Sequence, residues 1–319
     1  MSDLQKIPVI VIGGPTAVGK TDLSIRLAQA MNGEVINGDS IQVYRHLTIG
    51  SGKITEEEMQ GIPHHLLDIL DVEENYDASR FKKEATGLIE DIWSRGKLPI
   101  IVGGTGLYLE GLLYDLEFGG QASSQPEVRL EIEAHAKKIG DLALWHELNQ
   151  LDSQAAAAIP HQNMRRTIRA LEVIRITGQK YSDQKSQQQQ TSRFNECLLF
   201  LDRPRAELYD RINGRVFQMS QLGLEAEARW LFDRAKGQGL PGMKGIGYKE
   251  WWPYFEGILS KEEVIAQIQQ NSRRYAKRQL TWFRNRFKSV HWLDNSNERL
   301  AIETAESIVK QHVLKYEKD

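Results

Sequence analysis

The sequence predicts an α/β protein: a parallel sheet flanked by helices, interrupted by a helical insertion domain and followed by a helical C-terminal part. Three observations predict it. Short apolar runs at Pro8–Ile12, Leu98–Val102 and Cys197–Leu201 have the length and composition of buried parallel strands. The first of them runs into the pattern G-x-x-x-x-G-K-[ST] and then into helical periodicity over Asp22–Met31. From residue 127 to 178 every segment is helical in pattern and none reads as a strand. The core is therefore assigned to residues 1–119 and 196–319, and the insertion to residues 120–195.

The pattern comprises Gly14, Pro15, Thr16, Ala17, Val18, Gly19, Lys20 and Thr21. It is a phosphate-binding loop, and its place between strand and helix makes the core P-loop NTPase-like. Glycines let successive backbone N–H groups turn inward around phosphate oxygens, and the helix start adds a positive dipole end. Lys20 supplies a point charge, and the Thr21 hydroxyl can hold Mg²⁺. The loop specifies a diphosphate or triphosphate, not which one or what is done to it.

Glu34–Ile36 reads as a second strand, with Asp39, Ser40, Ile41 and Gln42 just beyond its C-terminal end. That edge of an open α/β sheet faces the ligand crevice, which places Asp39 near the phosphate loop. The plainer readings of Asp39 are a Mg²⁺ ligand or a loop cap. Ile49–Lys53 is a second glycine-rich turn, with Lys53 a further candidate phosphate contact, and Thr55 with Glu56–Glu58 reads as a capped helix start. Adjacent His64 and His65 point to different faces, so they make poor metal ligands and read as structural. A helix over Asp77–Arg95 precedes the strand Leu98–Val102, which runs into Gly103, Gly104, Thr105 and Gly106. Hydrolysing P-loop ATPases often end that strand with a metal-positioning Asp; glycines and Thr105 here argue against ordinary ATP hydrolysis.

Gly119–Pro126 reads as a linker into the insertion. There Leu142, Trp145, Leu148 and Leu151 form one apolar stripe, and Arg165, Arg166, Arg169 and Arg175 face only Glu172 in opposition, a pattern suited to a phosphate backbone. Lys180–Arg193, with Gln187–Gln190 in a row, reads as a mobile low-complexity connector. The remainder reads as helical: Pro204–Leu222, a second helix to Ala235, and residues 298–319. Met243–Glu250 is a turn with two lysines and an exposed-looking tyrosine. Arg273–Lys288 holds seven cations and no acid; Ala276, Leu280, Phe283 and Phe287 take the core stripe, which leaves the cations outward as a nucleic-acid tracking face. The net charge of −2 supplies no overall attraction to nucleic acid or membrane, so any such binding is local. The single cysteine, Cys197, reads as a small buried hydrophobe; no run has the length of a membrane span and the N-terminus lacks a signal-peptide pattern, so a cytoplasmic protein is expected.

One chain with a small-diphosphate loop and two long-polyanion surfaces points to a reaction between a phosphorylated small molecule and a nucleic acid. In order, GGPTAVGKT, NGDSIQVYRHLTIGSGK, IPHHLLDI, PIIVGGTGLY, RALEV with its upstream arginines, KGIGYKE and YAKRQLTWFR resemble the tRNA dimethylallyltransferases, also called tRNA isopentenyltransferases. The resemblance implies transfer of a dimethylallyl group from dimethylallyl diphosphate to N6 of the adenine 3′-adjacent to the anticodon, with release of pyrophosphate. It implies that Gly14–Thr21 binds the diphosphate with Mg²⁺, that Asp39 takes the amine proton, and that Ser40 and Gln42 meet the flipped base. Thr105 matches the family's channel threonine. Arg129, Arg165, Arg166, Thr167, Ile168 and Arg169, the stretch Asp39–Gln42, and Lys244, Gly245, Ile246, Gly247, Tyr248 and Lys249 match tRNA-gripping positions, and a tRNA anticodon stem-loop is the implied partner of a monomer. Pro160–Met164 departs from the Pro-Asn-Asp usual before the arginines, and the Gln-rich connector is long. The zinc finger of eukaryotic members is absent, as one cysteine requires, which points to a bacterial-type member. The rival readings are an adenylate isopentenyltransferase acting on free AMP or ATP, a P-loop small-molecule kinase, and a non-enzymatic, nucleotide-responsive RNA-binding protein.

Overall fold

The computed structural model describes residues 6–116, 125–186 and 191–316, and these form two compact units, residues 1–113 with 193–319 and residues 114–192. The first unit begins with β1 (Pro8–Gly13), α1 (Lys20–Ala30), β2 (Gly33–Asn37), α2 (Glu56–Met59), β3 (His64–His65), α3 (Ala78–Ser94), β4 (Leu98–Gly103) and α4 (Gly106–Leu113). The second contains α5 (Pro126–Ile139), α6 (Asp141–Leu151), α7 (Ser153–Ala158), α8 (Met164–Thr177) and α9 (Tyr181–Ser186). The chain then returns to the first with β5 (Asn195–Asp202), α10 (Arg205–Gln221), α11 (Leu224–Ala235), α12 (Trp252–Phe255), α13 (Lys261–Arg286), β6 (His291–Asp294) and α14 (Glu298–Tyr316).

All strand pairs are parallel, in the order β3-β2-β4-β1-β5-β6. Every residue of β1 is buried, because its neighbours β4 and β5 cover both edges and helices cover its faces. Ile10 and Ile12 pack with Leu23 and Leu27 of α1, Leu199 of β5 and Val309 of α14. Cys197 lies in this same cluster, and burial pushes its thiol up to about 12. The predicted strands and helices of this unit are present; β3 and β6 are additions, two and four residues long, too short to show periodicity. Thr55 and Glu58 form the reciprocal cap expected ahead of α2. His64 Nδ1 meets the Ile62 carbonyl at 2.8 Å and His65 Nε2 meets Glu34 at 2.8 Å, so both histidines are structural. Glu34, buried in β2, also accepts from Arg95 (2.6 and 2.7 Å) and Lys97 (2.7 Å); the Arg95 hydrogen bonds, chiefly, hold its carboxyl well below the usual range.

The helical unit has its own core of Ile132, Ala136, Leu144, Leu148, Ala155, Ile159 and Ile168. Its α6 stripe differs from expectation. Leu144 and Leu148 face inward with Trp145, whose Nε1 donates to the Ile159 carbonyl at 2.7 Å, whereas Leu142 and Leu151 are half exposed at the helix ends. The unit boundaries fall at residues 114 and 192, not at 120 and 195, because Phe194 is buried and Arg193 N donates to Leu113 O at 3.0 Å before β5 begins. Part of the predicted connector is helix α9, joined to α7 by Asp152, which accepts from Ala155 N and Ser182 N. Gln187–Gln190 and most of the Gly119–Pro126 linker lie outside the described residues.

Candidate active site

Gly14–Thr21 wraps the C-terminal end of β1 and opens α1. The loop is pinned from outside: Asn295 Nδ2 donates to Val18 O at 2.7 Å and Arg211 Nε to Ala17 O at 3.0 Å. Gly19 has φ +102°, and a Cβ there would collide with the Asn295 amide, so only glycine fits. Gly14, Pro15 and Val18 are buried, Val18 as an apolar anchor in the sheet cluster. Thr16, Ala17, Gly19 and Lys20 are half-buried, and Thr21 is exposed in the first turn of α1. Lys20 Nζ folds back onto Gly14 O (3.1 Å) and Pro15 O (2.8 Å). Burial first, and then the Arg215 charge, lower its pKa to about 8 against the opposing pull of Asp39. A cation held by two carbonyls in that state gains strongly from an arriving anion.

The turn after β2 is built around one carboxylate. Asn37 Oδ1 accepts from Asp39 N at 3.1 Å, and Asp39 Oδ1 accepts from Ile41 N at 2.8 Å and Gln42 N at 3.4 Å. Oδ2 has no hydrogen bond among the described residues. The loop-cap reading of Asp39 therefore holds for one oxygen, and the other is available to a ligand. Its charge bears on Lys20, Arg215 and Tyr275, which places all of these groups in one neighbourhood. Arg215, on α10, donates to Gly52 O at 3.1 Å. Thr105 Oγ1 is buried and makes no hydrogen bond of ordinary distance and angle, the neighbouring Tyr275 hydroxyl offering only a weak one. Tyr275 lies beside it, its hydroxyl pushed up to about 12 by burial and by the Asp39 charge. A buried orphan hydroxyl costs about 1–3 kcal/mol, and so marks a place where a ligand atom belongs.

An anion cradle, a fixed carboxylate and an unsatisfied hydroxyl at the carboxyl edge of a parallel sheet make a group-transfer site. A model of the family described as IPP transferase matches residues 42–286. A tRNA dimethylallyltransferase from Lactiplantibacillus plantarum is 51% identical over 297 residues, covering 92% of this chain and 94% of the relative. The chain belongs to the IPP transferase family. The crystal structure of the full-length tRNA isopentenylpyrophosphate transferase of Bacillus halodurans matches with a TM-score of 0.73 at 43% identity, over 98% of this chain and 99% of that one. A eukaryotic dimethylallyltransferase acting on tRNA matches with a TM-score of 0.81 at 31% identity, over 95% of this chain and 80% of that one.

Against this IPP transferase frame, several expected contacts have other roles. Lys53 is no second phosphate contact: it is buried, donating to Tyr44 O (2.7 Å) and Asp68 (2.5 Å). Tyr248 is fully buried, and its hydroxyl donates to Glu227 at 2.9 Å. The same Glu227 carboxylate accepts from Thr48 N, Ile49 N and Gly50 N, so Tyr248 braces a loop rather than meeting RNA. Gly245 and Gly247 are buried beside it and Ile246 is half-buried, which leaves Lys244 and Lys249 exposed. Ser40, Ile41 and Gln42 are half-buried, and the Gln42 amide donates to Ser51 O and Gly52 O, both at 3.3 Å.

In the helical unit, Arg165 and Arg166 are exposed, whereas Thr167 and Ile168 are buried on the core side of α8 and present no side chain to RNA. Arg129 (3.4 Å) and Arg169 (2.7 Å) share the buried Glu172. Arg274, Lys277, Arg278, Arg284, Arg286 and Lys288 are exposed on and just beyond α13, as expected, with Ala276, Phe283 and Phe287 buried. Sequence reasoning missed Arg215, Glu227, Tyr275 and Gln279. The last two carried one signal: a tyrosine and a glutamine four residues apart, next to an apolar stripe where inward positions should be apolar.

Proposed function

We propose that the protein transfers the dimethylallyl group of dimethylallyl diphosphate to N6 of the adenine 3′-adjacent to the anticodon in tRNA, releasing pyrophosphate. The observation that carries this reading is the meeting of Asp39, Lys20 and the orphan Thr105 hydroxyl in one neighbourhood, a proton acceptor beside a leaving-group cradle. The N6–C1 bond forms as the C1–O bond breaks; its electron pair departs with pyrophosphate, and the N6 proton passes to Asp39 Oδ2. The exocyclic amine is a weak nucleophile whose proton becomes acidic only as the new bond forms, so a carboxylate suffices as acceptor. Lys20, Arg215 and the loop N–H groups stabilise the charge growing on the departing oxygen. Thr105 Oγ1 donates to an oxygen of the bound substrates.

The Thr21 hydroxyl, in the first turn of α1, would hold Mg²⁺ together with diphosphate oxygens and water. No group of three His, Cys, Asp or Glu side chains able to hold a metal exists among the described residues, which fits an ion that arrives on its diphosphate. Bound there, Mg²⁺ would supply charge neutralisation for the leaving group. The exposed cations of α8 and α13, with Lys244 and Lys249, are assigned to the RNA backbone. No helix among the described residues is long and apolar enough to cross a membrane, and a cytoplasmic monomer is the proposed state. The deciding experiment incubates the protein with unmodified tRNA and dimethylallyl diphosphate and weighs the digested nucleosides. An adenosine heavier by one dimethylallyl group in place of a proton is expected; AMP modified with tRNA untouched, or no product, would overturn the reading.

A further inference from the structure

Besides Tyr275, helix α13 sends a carboxamide side chain into the site. Gln279 is buried, its Oε1 accepts from Thr16 N at 3.0 Å, and its Nε2 donates to Gly104 O at 3.0 Å. The partners belong to different loops, one after β1 and one after β4, which are adjacent strands. Burying an amide is unfavourable unless both of its ends are satisfied, and a carboxamide accepts at one end while donating at the other. The contact is tight: a Cβ at Gly104 would collide with Gln279 Nε2, so glycine at 104 and glutamine at 279 depend on each other.

We propose that Gln279 is a positioning residue for the diphosphate. It commits the Thr16 N–H to α13, fixes the curvature of the phosphate loop, and sets the distance between that loop and the turn carrying Thr105. Preorganised donors act only where their direction is held, so release of this tie weakens anion binding before it touches RNA binding. The inference rests on the functional reading for the identity of the prenyl donor, but not for binding of a diphosphate.

The test uses the full chain and inorganic pyrophosphate, titrated by calorimetry, alongside steady-state kinetics. Gln279→Met, which removes both hydrogen bonds at similar volume, should weaken pyrophosphate binding about tenfold, the effect of roughly 1.4 kcal/mol. It should raise KM for dimethylallyl diphosphate similarly and leave KM for tRNA within about twofold. Gly104→Ala, which pushes the same amide from the other side, should shift both in the same direction and decides the matter if Gln279→Met fails to fold. Gln269→Met, which removes a hydrogen bond to Asn213 O elsewhere on α13, is the control and should bind pyrophosphate as the parent does. Parent-like binding by Gln279→Met, an equal loss in Gln269→Met, or a matching rise in KM for tRNA would overturn the proposal. A parent chain that binds pyrophosphate yet modifies no tRNA would sink the functional reading alone.

Discussion

The cations beside the phosphate loop and those of the helical unit are held in different ways. At the sheet edge, Lys20 and Arg215 rest on backbone carbonyls of Gly14, Pro15 and Gly52, whereas Arg211 divides its guanidinium between Ala17 O and the Glu298 carboxylate. In the helical unit, Arg129 and Arg169 rest on Glu172 and Arg175 on Glu131. A carbonyl satisfies the N–H groups of a cation without cancelling its charge, whereas a carboxylate does both. The difference separates cations kept ready for an anion from cations that hold helices together. By that criterion Arg165 and Arg166, exposed and without an ion pair among the described residues, are the cations of α8 proposed to bind.

The sharpest test removes the Asp39 carboxylate, whose charge bears on both Lys20 and Arg215. Asp39→Ala should lower transfer by about 10²–10⁴-fold, the range for a positioned proton acceptor, while tRNA affinity measured by filter binding stays near the parent value. Next is a carboxylate-held cluster inside the sheet unit. Glu34→Ala should destabilise the fold by about 1–2 kcal/mol, because the cations left behind, Arg95 and Lys97, are exposed enough to be hydrated, seen as a lower Tm with no change in KM for either substrate. Because the folded pKa of Glu34 is depressed, its contribution is present above the unfolded value of 4.5 and fades as pH falls below it, so parent and variant should converge in acid.

A smaller effect distinguishes Lys20. With its pKa lowered to about 8, pyrophosphate affinity should decline as pH rises through that region, and Lys20→Met should flatten the profile while weakening binding. Smallest are the surface cations. Alanine at Arg165 and Arg166 together should reduce the salt slope of tRNA binding by about one to two units, while Arg129→Ala should leave the slope alone and lower Tm slightly. An Arg129 variant that changes the slope as much as Arg166→Ala would erase the distinction between the two classes.

The parts of this molecule legible from sequence are those whose signal is local. The phosphate loop is a contiguous pattern, the strands are contiguous apolar runs, and the Thr55–Glu58 cap spans four residues. What could not be read depends on partners distant in the chain. Tyr248 looked exposed between lysines and glycines, yet Glu227 and the loop at Thr48–Gly50 bury it. Lys53 had the setting of a phosphate contact, and only the fold shows Asp68 already holding it. The α6 stripe differs from its spacing because Leu142 and Leu151, in step with Leu148, sit at the helix ends outside the core that holds Leu144 and Leu148. Gln279 reaches Thr16 across 263 positions of sequence, and no periodicity encodes such a partner.

The hydrogen bond from Arg193 N to Leu113 O closes the neck from which the helical unit departs. The two strands of chain at that neck are already side by side, so the excursion resembles a bead on a clasped loop more than a link in a tether. A short glycine-rich turn spliced across the clasp should leave the sheet able to fold by itself, and the excised bead, with its separate apolar centre, to do the same. Such a plan allows the helical lobe to be lengthened, trimmed or exchanged in descent without disturbing the chemistry at the sheet edge.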